Sequence, residues 1–371
     1  MPEIWLKYGT TDVALDIKFA NLLAQVFPDI PLISDEDIAV TLGNVHMSNN
    51  TLILALSRSK PVQIIVQMLQ AMIQSRGFEG IHVNVERKLP NRESNERFNV
   101  GTDDCPFFLD RRYENVIFVS RTSYDPLFGF SGTPTMLLRY YMQDRMLAAF
   151  ESRQSNLPNP GVDCPPLAVA LSASEKLSAA SVELVASNSG ISGIYCGNIC
   201  DGFRKAIEKL TSATIVEVDY AKSAIVGGSN EPDFSNLTAS LNLLWNSMHA
   251  IKENGSIILL AENRDGLGEG ALQMFVEGKM KIEDLGKKGF YVPGLEHLFY
   301  IQNLRQRYDL GILSTLPQYY LKKLGFESFG GAKDVLQKLL AKHGKNHKIL
   351  VSSEGDLALL KLREQTRTVP A

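Results

Sequence analysis

Residues 236–269 read NLTASLNLLWNSMHAIKENGSIILLAENRDGLGE, and the order of signals inside them decides the fold. Leu237, Leu241, Leu244, Trp245, Met248 and Ile251 recur at helical spacing and mark one apolar face. Lys252-Glu253-Asn254-Gly255 reads as the stop of that helix. Residues 257–261 then form a short unbroken apolar run, the mark of a strand covered on both faces. Glu262-Asn263-Arg264-Asp265-Gly266-Leu267-Gly268-Glu269 is a polar, glycine-rich turn leading to another helix. Open α/β sheets bind ligands outside the carboxyl ends of their strands, so this turn is placed beside a binding crevice.

The same alternation extends both ways. Downstream, helices are expected at 272–276, 295–307, 318–324 and 332–343, with strands at 310–314 and 348–351. Upstream, residues 214–220 and 224–226 read as strands. In the first half, residues 1–17 read as strand, turn and strand. Ser34 caps a helix whose first turn holds Asp35, Glu36 and Asp37. A buried strand at 51–56 runs into Ser57-Arg58-Ser59-Lys60-Pro61, a helix over 62–76 stopped by Gly77, and a strand at 81–85. Residues 86–101 are a charged loop, 115–120 a strand, 123–135 a Gly/Pro-punctuated loop and 136–153 a helix. Residues 154–166 are a proline-rich crossing; strands at 167–171, 182–187 and 190–196 and a helix over 200–210 follow. The pattern predicts an α/β chain of two doubly wound domains, 1–209 and 210–371, with mostly parallel sheets and an interdomain cleft.

A chain of 371 residues can bury two such cores. A net charge of −3 gives no electrostatic footprint for nucleic acid. No apolar run approaches the roughly 18 residues that span a bilayer. The start MPEIWLKYG carries no signal-peptide pattern, so a cytoplasmic protein is expected. Cys105, Cys164, Cys196 and Cys200 do not form a disulfide framework. Three residues separate Cys196 from Cys200, against the two of a redox or zinc pair, which predicts small buried thiols near a strand-to-helix turn.

Ala261-Glu262-Asn263-Arg264-Asp265-Gly266-Leu267-Gly268, together with Gly227-Gly228 and Pro232 upstream, resembles the second domain of the nickel-pincer lactate racemase family. In that family a GGxP turn leads to a long helix and a strand ending in AEC-x-x-GLG. Leu6-Lys7-Tyr8-Gly9 looks like the family's opening strand, Ser57 to Pro61 like its D-x-T-R-P loop, and Gly129-Phe130-Ser131-Gly132 like its G-[FY]-S-G-G loop. The resemblance implies a two-domain α/β fold. In active members a nicotinate-derived nickel pincer is held covalently by a lysine and a histidine donates to the metal. Two further histidines exchange protons at the substrate carbon, which suits a residue that titrates near neutrality.

At the matching positions these groups are missing. Thr135 or Thr133 stands where the tethering lysine belongs. Pro126 is followed by Leu127 in place of a proton-shuttling histidine, and Glu86-Arg87-Lys88-Leu89-Pro90 stands for the other shuttle's loop. Residues 136–166 contain no histidine for the nickel. The family's Y-Q-x-x-K appears as Thr238-Ala239-Ser240-Leu241-Asn242. None of the six histidines, His46, His82, His249, His297, His343 and His347, pairs at a metal-binding spacing, and each is assigned a structural or solvated role. No cofactor and no metal are therefore expected, and no catalytic residue is assigned.

What remains is binding. Arg58, Ser59 and Lys60, between a buried strand and a helix start, are placed to hold a carboxylate or phosphate. Phe130, Ser131 and Gly132 are expected to line the crevice, and Glu262 to stand at a strand end facing it. Ser131 has no base beside it and is no nucleophile. The glycine turns at Gly227-Gly228 and Gly266-Leu267-Gly268 are read as tight turns before anion cradles. The expected function is a lactate racemase-like protein without pincer chemistry that binds a small anion, a 2-hydroxy acid, carboxylate or phosphate, between its domains. The alternative is an active 2-hydroxy-acid racemase or epimerase with a different cofactor anchor.

Overall fold

Two sheets carry the fold in the computed structural model, which describes residues 3–85, 113–187, 189–228 and 232–363. The first has five strands in the order Gly190–Asn198, Ala180–Ser187, Asn115–Arg121, Thr51–Ala55, His82–Val85. All neighbours in it are parallel except the hairpin formed by Ala180–Ser187 and Gly190–Asn198. The second has six strands, all parallel, in the order Glu327–Phe329, Asp309–Leu313, Ile251–Leu260, Ala221–Gly227, Ile349–Ser352, Leu22–Val26. The α/β class with mostly parallel sheets is as expected from the sequence. Among the described residues no helix is long and apolar enough to cross a membrane.

The apolar run at 257–261 behaves as a strand sealed on both faces. Ile257 and Leu259 join one core cluster with Leu241, Leu244 and Trp245 of the helix Leu237–Ser247. Ile258 and Leu260 point the other way, into a cluster with Ile4, Leu6 and Leu15 of the N-terminal hairpin and Val335 and Leu339 of the helix Ala332–His343. A strand's side chains alternate between faces, so an unbroken apolar run needs cover on both. Each such side chain contributes about 1.5–3 kcal/mol when fully buried. In the first sheet Ile53, Ala55, Ile117 and Val119 meet Val62, Ile65 and Leu69 of the helix Lys60–Ser75.

Several local expectations meet the structure closely. Ser34 Oγ accepts from the Asp37 N–H at 3.1 Å and caps the helix Asp35–Gly43. Gly77 follows the helix Lys60–Ser75 with φ +77°, a left-handed turn that suits glycine. Other expectations are corrected. Residues 167–171 lie inside a helix, Pro165–Ser174, because Pro165 and Pro166 occupy its first turn, where no N–H is needed. The helix expected over 136–153 is two helices, Thr133–Tyr141 and Gln143–Glu151, broken at Met142. The supposed helix stop Lys252 to Gly255 belongs to the strand Ile251–Leu260, with Asn254 at φ +61°. The charged loop at 86–101 and Cys105 lie outside the described residues.

The chain does not divide at 209/210 in strand pairing. The helix Ile199–Thr214 runs through that point. Residues 3–26 also pack with the second sheet, where Leu22–Val26 forms the edge beside Ile349–Ser352. A short parallel pair, Ile215–Val218 with Leu359–Leu362, joins the chain leaving the first half to its last strand. Cys196 and Cys200 flank the turn from strand to helix, as expected. Burial pushes their thiols up to about 12 and about 11.

At the amino ends of the second sheet's strands two imidazoles, His343 and His347, meet at a tilt of 41° with ring centres 4.7 Å apart. His347 Nε2 lies 2.7 Å from Ser223 Oγ and His343 Nε2 3.0 Å from Ser256 Oγ. Burial first, then the nearby His343 and Lys222, push His347 down to about 4. Because this folded-state value lies below the ordinary 6.5, the unfolded chain takes up the proton first as the pH falls. The stabilisation is thus complete above about pH 6.5 and is lost towards pH 4. Allowing for the solvent that reaches the pair, it amounts to about 2 kcal/mol. Urea unfolding at pH 7 and pH 4.5 should show this loss in the wild type and a smaller one in His347→Gln. Equal losses in both would disprove the assignment.

Candidate functional site

The carboxyl ends of the two sheets face each other across a cleft of ≈ 950 Å³. Ser57 and Arg58, after the strand Thr51–Ala55, and Arg121, at the end of Asn115–Arg121, form one wall. Asp233, Asn236 and the turn Asp265-Gly266-Leu267-Gly268 form the other, after the strands Ala221–Gly227 and Ile251–Leu260. This is where parallel α/β sheets expose loops that are free to carry function.

Buried charges tie the walls together at the back. Arg139, on the helix Thr133–Tyr141, donates to Asp125 Oδ2 at 2.9 Å and to Glu296 Oε1 at 2.7 Å. Tyr291 donates to Glu296 Oε2 at 3.2 Å. Burial pushes the Glu296 carboxyl up, but the charge and hydrogen bond of Arg139 outweigh it and hold it below the usual carboxylate range. Arg121 pairs with Asp356 at 2.7 Å, with both side chains nearly inaccessible. Arginine suits such positions because its fork can serve two acceptors while staying charged.

His297 stands in the same wall, 4% exposed. Trp245 Nε1–H donates to its Nδ1 at 2.9 Å. An indole only donates, so Nδ1 is an acceptor and the proton of the neutral ring is on Nε2. Burial lowers the His297 pKa against the opposing pull of Glu296, which keeps the ring in that neutral form. His297 thus brings a fixed N–H donor to the cleft wall.

Of the residues singled out from sequence, Arg58 and Ser131 line the cleft. Ser59 is fully buried behind it, its hydroxyl 3.0 Å from Ser57 Oγ. Lys60 begins the helix Lys60–Ser75, exposed and outside the cleft lining. Phe130 faces the core against Tyr124, ring centres 5.9 Å apart. Gly132 is buried against the Phe203 ring, where a Cβ would come within 2.4 Å. Glu262 lines a separate cavity of ≈ 40 Å³ with Lys7 and Gly9. Its Oε2 is buried without a hydrogen-bond partner among the described residues.

Thr133 and Thr135 are both fully buried. Thr135 Oγ1 exchanges hydrogen bonds with the Gly132 backbone, and the Thr133 N–H donates to Glu183 Oε1 at 3.0 Å. Ser120 and Thr122 also donate to Glu183, whose carboxyl burial pushes up against the pull of these bonds. The start of this helix is closed by an internal carboxylate. Among the described residues no group of three His, Cys, Asp or Glu comes together as a metal site.

No family model matches the chain. No curated protein matches it either. Among solved structures, the lactate racemase apoprotein from Thermoanaerobacterium thermosaccharolyticum superposes with a TM-score of 0.72 over 97% of this chain and 100% of that one. The chain shares the lactate racemase fold. Identity to that protein is 16%. A Thermotoga maritima protein superposes with a TM-score of 0.65 at 13% identity, over 91% of this chain and 100% of that one.

Within the lactate racemase fold, the stretches that carried the resemblance meet in space. Gly9, in the turn of the N-terminal hairpin, lies against Glu262 of the 261–268 turn. Ser57, Arg58 and Ser131 share the cleft. Arg139, Asp125, Tyr291 and Glu296 were not singled out by their sequence patterns, and His297, assigned a structural or solvated role from the sequence, lies in the cleft lining. Asp125 and Glu296 are 171 residues apart, and each reads alone as a loop or helix-start acid.

Proposed function

We propose that this protein is a lactate racemase-like binding protein that holds a small 2-hydroxy acid, or a related carboxylate or phosphate, in the cleft without nickel-pincer racemase chemistry. The carrying observation is the chemistry of the cleft lining. Among the described residues it contains no lysine and one histidine, His297. A covalently held pincer needs an amine and proton exchange on two faces of a carbon needs two bases, so these residues do not fit that cofactor.

The lining suits a ligand that both accepts and donates hydrogen bonds. Arg58, Arg121 and Arg139 are set against Asp125, Asp233, Asp265, Glu269, Glu277 and Glu296. A ligand that only accepts hydrogen bonds would meet this excess of carboxylates less favourably than one that also donates. A hydroxy acid can place its carboxylate towards Arg58 and the His297 Nε2–H and offer its hydroxyl to a carboxylate. Polar groups fixed before binding give such recognition its selectivity.

The test is direct. Protein produced with nickel in the medium should have an intact mass equal to that of the sequence, 41.1 kDa, and no stoichiometric nickel. Calorimetry should detect lactate binding that weakens at least tenfold in His297→Ala, and polarimetry should detect no racemisation. A covalent adduct, bound nickel or turnover of lactate would establish the active isomerase instead.

A further inference from the structure

One contact between the two walls differs from the buried pairs behind it. Ser57 Oγ donates to Asp233 Oδ2 at 2.5 Å, and the Arg58 N–H donates to Asp233 Oδ1 at 2.7 Å. Asp233 belongs to the turn Pro232–Phe234 of the second half, so one carboxylate is gripped at both oxygens by the first half. The short distances are those of charge-assisted hydrogen bonds. The Ser59 N–H donates to Ser57 Oγ at 3.1 Å, and of the two acceptors within reach of the Ser57 proton, Ser59 Oγ at 3.0 Å and the Asp233 carboxylate, the charged one is the stronger. All three residues line the cleft and are half-buried. Arg121–Asp356 and Arg139–Glu296, by contrast, include carboxylates with no exposed side-chain area.

The stretch Ser57 to Pro61 is the one whose sequence suits an oxyanion, and the oxyanion seated there is the protein's own. The geometry points to a latch: Asp233 is an internal competitor that closes the cleft over Ser57 and Arg58 and must release them before a ligand oxyanion can take the same two donors. This rests on the small-oxyanion function proposed above. Both donors sit on the first half and the carboxylate on the second, so release frees one wall from the other at this edge. The two buried ion pairs keep the halves joined meanwhile. A half-buried contact of this kind opens more readily than a buried ion pair, because water can solvate both sides as they part.

The experiment uses the full chain as wild type, Asp233→Asn, Ser57→Ala and Asp265→Asn. Asparagine is nearly isosteric, but its NH₂ would face a donor and cannot accept at both seats. Residue-resolved hydrogen exchange at the Arg58 amide should be at least tenfold faster in Asp233→Asn and Ser57→Ala, with the amides of Leu237–Ser247 unchanged. Sodium lactate and sodium phosphate, titrated separately by calorimetry, should bind Asp233→Asn at least threefold more tightly than wild type, and the preferred anion identifies the ligand's chemistry. Asp265→Asn removes an equal charge from the lining but keeps the Ser57 proton on Asp233, so any gain in its affinity should be smaller than that of Asp233→Asn. Unchanged Arg58 exchange in both latch variants overturns the latch. An equal gain in Asp265→Asn reports charge alone and overturns the competition. Faster Arg58 exchange with no anion bound by any variant upholds closure by Asp233 and removes the binding function instead.

Discussion

Arg139→Met should lower the folding free energy by about 3–5 kcal/mol, the cost typical of removing one partner from a buried ion pair. Asp125 is 4% exposed and Glu296 fully buried, and both turn a carboxylate oxygen to this guanidinium. Methionine fills much of the same space, so the loss is electrostatic more than volumetric. Asp125 keeps the Leu127 and Phe128 N–H groups, each at 2.8 Å, and stays partly satisfied. Glu296 keeps only the Tyr291 hydroxyl among the side-chain contacts described. Its burial is then opposed only by that hydroxyl and a backbone N–H, and it should take up a proton nearer neutrality. The double variant Arg139→Met/Glu296→Gln should therefore regain part of the loss, with a coupling of about 1–3 kcal/mol. Urea unfolding at pH 7 measures both. A loss under about 1 kcal/mol for Arg139→Met would show that water reaches the pair.

The second large effect is expected at Gly9. Its φ is +59°, and a Cβ there would lie 1.6 Å from Glu262 Oε2. Alanine adds about 1 kcal/mol or more of left-handed backbone strain and forces the carboxylate out of its seat. The combined cost should be about 2–4 kcal/mol. Gly9→Ala/Glu262→Ala removes the collision with the carboxyl group and keeps the 2.9 Å approach to the residue-262 Cβ and the backbone strain, so it should be more stable than Gly9→Ala alone. If the double variant is the less stable, Glu262 holds the hairpin by something other than fit.

The same contact shows how far the sequence could be read. Lys7-Tyr8-Gly9 and Ala261 to Gly268 were each recognisable as a strand and turn. Their meeting depends on a parallel sheet whose outermost strand comes from residues 22–26 and whose neighbour comes from 349–352. No local pattern records such a pairing, and the division at 209/210 missed it. Ser59, Phe130 and Gly132 were expected in the crevice because their loops are near it. They turned inward because residues flanking a short turn alternate in direction, and Tyr124, Phe203 and Ser57 were there to receive them.

By itself the sequence determined the layers. Apolar runs at 51–56, 115–120 and 257–261 alternate with amphipathic stretches, and burial of apolar surface leaves few arrangements for such a pattern beyond sheets covered by helices. The tertiary structure alone decided which charges meet: Arg139 with Asp125 and Glu296, Asp233 with Ser57, His297 with Trp245. Hydrophobic burial depends on period, which is written along the chain. A hydrogen bond or ion pair acts over about 3 Å, and only folding brings residues so far apart in sequence within that distance.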